Sequence, residues 1–394
     1  MQNEQIDRTI NKMLYLSAAA IPFFQILNIS TMVSFMLVIV VVLTAITWAA
    51  SCAEEITGRD LLIITTILIA ALNVFINASL EAQSLSFSYI RKLIFFALTL
   101  LCLQTATKEK IWENDKDLFY RTNTALSIFI AIMYVVYGHA AFMFNGIVTD
   151  YLVFNFSNPN LLGMYLGCIA MIEFNNAVRQ TKVVKSAFHL LLFGLGVYFV
   201  FQTQSRNVVL ALLVFIAASI VTVIKKEHKD VNKLLSFVIV LWPLIFAIVY
   251  MALVKSQTIN ELLSFLVTKG KDLDSRQRIW QYAISSFTGS PIIGAYNQIS
   301  KGSGMFQLHN TGLDTLASYG IIPYTLTTLF LHQTCLCRNN EFDTTEQYIC
   351  INAYFACLIM GIGEAGLFSG SLSYFVYVSM FLRMSGLVQR KQII

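Results

Sequence analysis

Residues 187–224 read "AFHLLLFGLGVYFVFQTQSRNVVLALLVFIAASIVTVI". Two apolar runs, 187–204 and 207–224, meet there with almost no loop, and Arg206 sits in the joint. Each run is long enough to cross a bilayer core of about 30 Å. Lipid admits only helices or closed barrels, because an unsatisfied backbone polar group is costly where there is no water. These runs are too long and too unalternating for barrel strands. The stretch therefore reads as a hairpin of two membrane helices with a full positive charge in its tight turn.

The rest of the chain repeats the pattern. Of its 394 residues, 57% are hydrophobic and only 12% charged, a surplus that a soluble core does not need. The reading is an all-α polytopic membrane protein, a single multi-pass domain over 1–394, with about twelve transmembrane helices. The spans fall near 13–28, 31–50, 61–77, 89–106, 122–139, 160–176, 187–204, 207–224, 234–253, 311–332, 348–365 and 371–388. The start, "MQNEQIDRTINK", is polar, and no cleavable signal peptide is evident. The only sizeable excursion between spans is an outer loop over 255–308. Within it, Ile259, Leu262, Leu263 and Leu266 recur at helical spacing, and "SRQRIWQYAISSF" sets Ile279, Trp280, Ala283, Ile284 and Phe287 on one face.

An even number of spans puts both termini on one side, and the arginine and lysine bias makes that side cytoplasmic. Eighteen of the twenty-seven basic residues lie there by this count, so the net charge of +5 reflects orientation and gives no argument for nucleic acid. The nine exceptions are Arg91 and Lys92, Arg206, and the loop residues Lys255, Lys269, Lys271, Arg276, Arg278 and Lys301. Cations on the translocated side oppose insertion and need a reason. Singly, each reads as a snorkelling side chain or an ordinary loop charge. Together they suit phosphate or diphosphate, which the guanidinium fork binds in two places at once.

Other polar residues cluster on the same face. His309 stands at the mouth of the long loop, where a neutral imidazole is the usual general base near pH 7. Asn310 follows it, Asp314 lies about one turn further on, and Glu364 sits near an outer helix end. Any of these three could orient a base or an acceptor hydroxyl. "FSNPNLLGMYLG" opens the sixth span as a well-capped helix start, with Asn158 as cap and Pro159 in the first turn. No Asp-x-Asp pair or carboxylate cluster on this face offers a divalent ion a home, so no metal and no cofactor is expected. The seven cysteines read as packing residues, none of them in the long outer loop.

Four segments in order carry a family resemblance: "FSNPNLLGMYLG", "TQSR", "SRQRIWQYAISSFTGSP" and "LHNTGLDTLASYGII". Over Phe156 to Ile322 the chain resembles the bacterial O-antigen ligase and repeat-unit polymerase superfamily. Asn207 follows the Ser-Arg pair where a small residue is frequent, and "GAYN" stands where a glycine two places after Gly294 is frequent. The resemblance implies a GT-C-like glycosyltransferase fold in the cytoplasmic (inner) membrane, with its site facing the periplasm or cell exterior. It implies that Arg206 and Arg276 hold the diphosphate of a polyprenyl-linked oligosaccharide; the charge bias adds Arg278, Arg91 and Lys92 as expected further contacts. His309 is then the catalytic base in a metal-independent, inverting transfer to an acceptor glycan. Membrane lipids and a chain-length regulator complete the expected partners.

Two activities share this chemistry. A polymerase joins lipid-linked repeat units into O-antigen or capsule, and it is preferred because the outer loop is compact and nothing points to a lipid A core. A ligase moves finished polymer to such a core. A flippase for lipid-linked oligosaccharide is the reading from another class. Against it, span centres lack the charges that ion coupling needs.

Overall fold

The computed structural model describes residues 2–27, 31–51, 57–80, 87–108, 113–144, 147–156, 158–225, 233–253, 274–295, 308–336, 344–361, 363, 366–369 and 374–385. Nearly all of them are helical. The helices are α1 (Gln2–Ile26), α2 (Thr31–Ser51), α3 (Gly58–Leu80), α4 (Phe87–Lys108), α5 (Glu113–Tyr137), α6 (Pro159–Arg179), α7 (Val183–Gln202), α8 (Arg206–Lys225), α9 (Lys233–Leu253), α10 (Asp274–Gly289), α11 (Thr311–Tyr319), α12 (Ile321–Leu336), α13 (Thr345–Met360), α14 (Gly366–Ser369) and α15 (Tyr374–Met384). Among the described residues seven helices are long and apolar enough to cross a membrane, the segments of α3 to α9. Shorter apolar helices cover Lys12–Ile26, Val38–Ala50 and Tyr374–Met384.

The bundle is built around α6. Its residues from Leu162 to Ala177 are almost all buried, and it packs against α5, α7, α8, α13 and α15. Small residues make this possible. The α-carbon of Gly196 on α7 lies so close to Ala170 that an added β-carbon would stand 2.9 Å from the alanine methyl. Close backbone approach through small residues is how membrane helices associate, since lipid is as apolar as leucine and provides no hydrophobic drive. The outer helices leave large apolar side chains exposed, among them Leu68, Val135, Leu213 and Ile224. In water such surfaces would aggregate; in lipid they are the solvated face.

Toward the Arg179 end of α6, a polar knot ties three helices. Glu173 is fully buried, and its Oε1 accepts from Asn123 (3.0 Å), Thr124 (3.0 Å) and Ser127 (3.3 Å) on α5. Its Oε2 lies 2.7 Å from Nδ1 of His189 on α7. A buried carboxylate is tolerable only with this degree of pairing.

Two sequence expectations change. The span expected at 311–332 is two helices, α11 and α12, broken at Gly320 with φ 86°. Gly320 approaches the Ile292 carbonyl so closely that no β-carbon would fit, and its positive φ also suits only glycine. A second excursion was not foreseen. Between α5 and α6 the chain forms a short 3₁₀ turn (Gly138–Phe142) and a two-stranded antiparallel ribbon pairing Met143 with Val148. It is fastened to the α7–α8 joint, because Leu152 N–H donates to the Gln202 carbonyl at 2.8 Å.

Candidate active site

The α7–α8 joint is a tight turn made rigid by its hydroxyl residues. Thr203 Oγ donates to the Val200 carbonyl (2.8 Å) and accepts from Ser205 N–H (3.3 Å). Gln204 takes φ 54° and reaches the Asp150 carbonyl with its side chain at 2.9 Å. Thr203 and Ser205 are buried beneath the turn, while Arg206 begins α8 half-buried. The "FSNPNLLGMYLG" segment sets the position of this turn. Asn158 caps α6 by accepting from Asn160 N–H (2.9 Å), and Pro159 occupies the first helical position. One turn on, Gly163 faces Thr203 and Ser205, and a β-carbon there would meet Ser205 Cβ at 2.8 Å. Gly167 does the same against Val208 and Met360.

The second half of the site is the entrance to α11. Asn310 caps that helix by accepting from Leu313 N–H (2.9 Å) and donates to the Pro243 carbonyl of α9 (2.7 Å). The Leu308 carbonyl accepts from Trp280 Nε1 (2.9 Å), and Leu308 N–H donates to Asp314 Oδ1 (3.3 Å). Between two such anchored neighbours, His309 is half-buried and takes φ 50°. A non-glycine residue in that region costs on the order of 1–3 kcal/mol and persists only where its surroundings over-determine it.

A short strip after α13 joins the halves. Thr311 N–H donates to the Gly361 carbonyl at 2.9 Å, and two residues later Gly363 lies directly against the Asn207 side chain. Two residues of chain reach at most about 7 Å, so the Arg206 turn and the His309 segment flank one strip. Asn207, the departure from the family's small residue, finds its room because position 363 has no side chain.

Helix α10 lies across the entrance to α11. Ile279, Trp280 and Ala283 are buried and Ile284 and Phe287 pack beside them, so the expected apolar face is the docked one. Trp280 meets Tyr250 of α9 edge-on at 5.3 Å. After Pro291 the chain is held to α3, where Asn73 donates to the Ile292 and Tyr319 carbonyls (3.1 and 2.6 Å) and Asn77 to Ile293 (2.9 Å). Arg278 is exposed, Arg276 sits in the first turn of α10, and the side chain of Arg276 lies outside the described part of the structure. So do Glu364, the loop stretches 254–273 and 296–307, and with them Ile259 to Leu266, Lys269, Lys271 and Lys301.

Arg91 and Lys92 part company. Arg91 is exposed on α4, whereas Lys92 is buried and points at α11, with Nζ 2.8 Å from Asp314 Oδ1 and 3.0 Å from Ser318 Oγ. The snorkelling reading fails for Lys92, and Asp314 is engaged by that ion pair. The sequence held no signal for this pairing, because 222 positions separate the partners. The other described histidines lie apart: His189 is paired with Glu173, His332 with Ser236 (2.9 Å), and His139 is exposed in the 3₁₀ turn.

Residues 191–327 match the family described as O-antigen ligase. The match begins in α7, ends in α12, and contains the Arg206 turn, α10 and the whole entrance to α11. The resemblance to the O-antigen ligase and polymerase superfamily thus has support beyond the motifs. No curated protein and no solved structure matches the chain.

Proposed function

We propose that this chain is a glycosyltransferase that joins polyprenyl-diphosphate-linked repeat units into a surface polysaccharide. The observation that carries the reading is the convergence of the Arg206 turn and the His309 segment, both inside the region matched by the ligase family, on Gly361 and Gly363 just beyond it. The acceptor's hydroxyl oxygen attacks the anomeric carbon of the donor sugar from the face opposite the leaving group. The bond from that carbon to the diphosphate oxygen breaks with inversion, and polyprenyl diphosphate departs with the electron pair. His309 takes the hydroxyl proton on a ring nitrogen. Arg206 and Arg276, with Arg278 and Arg91 as further contacts, hold the diphosphate, whose charge grows as the bond breaks. Preset cations suit this task because they need no reorganisation at the moment of reaction.

The reading includes the finer topology: about twelve crossings of the inner membrane, both termini cytoplasmic, and the site at the outer leaflet. A ligase would use the same donor and another acceptor. The deciding experiment is reconstitution of the purified chain in liposomes with purified polyprenyl-diphosphate-linked repeat units. Long glycan on polyprenyl diphosphate is the expected product. Transfer only when lipid A core is supplied would make it a ligase, and movement of the unit across the bilayer without new glycosidic bonds would make it a transporter.

A further inference from the structure

We infer that the buried Lys92–Asp314 ion pair is a positioning device that fixes the backbone carrying His309. The inference rests on the proposed role of His309 and assigns Lys92 a place away from the diphosphate.

One oxygen carries the inference. Asp314 Oδ1 accepts from Lys92 Nζ at 2.8 Å and from Leu308 N–H at 3.3 Å, so a cation on α4 and the peptide just before His309 share a single acceptor. Both side chains of the pair are almost wholly buried. Leu308 is thereby held from two sides, its N–H by Asp314 and its carbonyl by Trp280. Between it and the fixed Asn310 cap, the His309 backbone is held at φ 50°, a conformation that is costly for a non-glycine residue.

Other contacts also hold α4 against this part of the fold. Thr99 of α4 donates to the Leu367 carbonyl (2.9 Å), and Phe96 packs on the Tyr319 ring at 4.6 Å between centroids. What the pair adds is orientation. Without the ammonium, Asp314 would be a buried carboxylate lacking its cation and would turn to find other partners. That change loosens its hold on Leu308 and lets His309 leave its angle. A base misplaced by about 1 Å can cost a hundredfold in rate.

The test uses the full chain in liposomes with purified polyprenyl-diphosphate-linked repeat units. Lys92→Met and Asp314→Glu should lower kcat about 10- to 100-fold and leave KM for the donor within about twofold. Asp314→Glu keeps the charge pair but moves the oxygen by one methylene, so it serves even where Lys92→Met fails to fold. Lys92→Arg, which keeps the cation, should restore most of the rate. A loss confined to KM would return Lys92 to the donor site, and an unchanged kcat in Asp314→Glu would overturn the inference. A second readout does not depend on catalysis. In His309→Cys, labelling by a membrane-impermeant thiol reagent should become several-fold faster when Asp314→Glu is added. If His309 proves dispensable for transfer, the proposed function loses its base while the labelling still decides whether the pair holds the loop. Equal labelling rates would refute the inference by itself.

Discussion

Gly163→Ala should slow transfer without removing any polar group. The added β-carbon would stand 2.8 Å from Ser205 Cβ, 2.9 Å from Thr203 Oγ1 and 3.2 Å from Ser205 Oγ. Ordinary carbon contacts are about 3.5–4.0 Å, so the turn or α6 must give way by roughly 0.7 Å or more. Helix α6 cannot move easily, because it is buried along most of its length and is tied by Glu173 to α5 and α7. The strain therefore falls on Thr203, Ser205 and, through them, Arg206. Overpacking of this kind costs about 1–3 kcal/mol of stability. A displacement near 1 Å of a charge that must meet a diphosphate costs about 10- to 100-fold in rate. The assay is glycan formation in reconstituted liposomes beside a thermal melt in detergent. Gly194→Ala is the control: its β-carbon would meet nothing within 4 Å, and alanine favours the helix by about 0.5–1 kcal/mol, so it should melt no lower and transfer normally. If Gly163→Ala matches wild type in both rate and melting, Gly163 does not set the Arg206 turn and the local packing account is wrong.

Other substitutions separate folding from chemistry. His309→Gly should melt at or above wild type, since glycine relieves a φ of 50° that costs on the order of 1–3 kcal/mol, while transfer disappears; a clearly lower melting point would mean that His309 is a structural contact. Arg206→Lys should insert and express normally yet lose most transfer, because an ammonium cannot make the two-pronged contact to phosphate, and near-normal glycan ladders would remove the diphosphate role. His189→Leu leaves Glu173 buried without its 2.7 Å partner and should destabilise the chain by about 3 kcal/mol. Adding Glu173→Gln should recover much of that loss, and melting curves of the single and double variants decide it.

Much of the bundle was legible from hydropathy alone, because lipid forces each long apolar run into a helix. Residues 187–224 became α7 and α8 with the joint at Arg206, and the Asn-Pro-Asn signal opened α6 at Pro159. The break at Gly320 was hidden inside one expected span, 311–332, since hydropathy does not register a glycine that a neighbouring carbonyl crowds. The docked face of α10 was readable from helical spacing, while the 138–156 excursion offered only short, mixed stretches. In the site, residue types pointed to His309 and Arg206 but could not tell Lys92 from Arg91. Adjacent positions on a helix point about 100° apart, and only the packing of α4 against α11 decides which of them is buried. The Lys92–Asp314 pair and the shared oxygen at Leu308 arise from tertiary contact and leave no local pattern.

The most direct test of the account is a single-turnover measurement on His309→Asn. Asparagine tolerates the left-handed backbone at this position better than most residues, so the loop geometry is kept while the proton acceptor is lost. Labelled polyprenyl-diphosphate repeat unit is bound to the reconstituted variant, the acceptor is added, and donor binding and glycosidic bond formation are followed on the same preparation. Donor binding within about twofold of wild type and transfer slowed about 10²- to 10⁴-fold is the expected result. Transfer at a near-normal rate would contradict it and show that the acceptor proton leaves by another group.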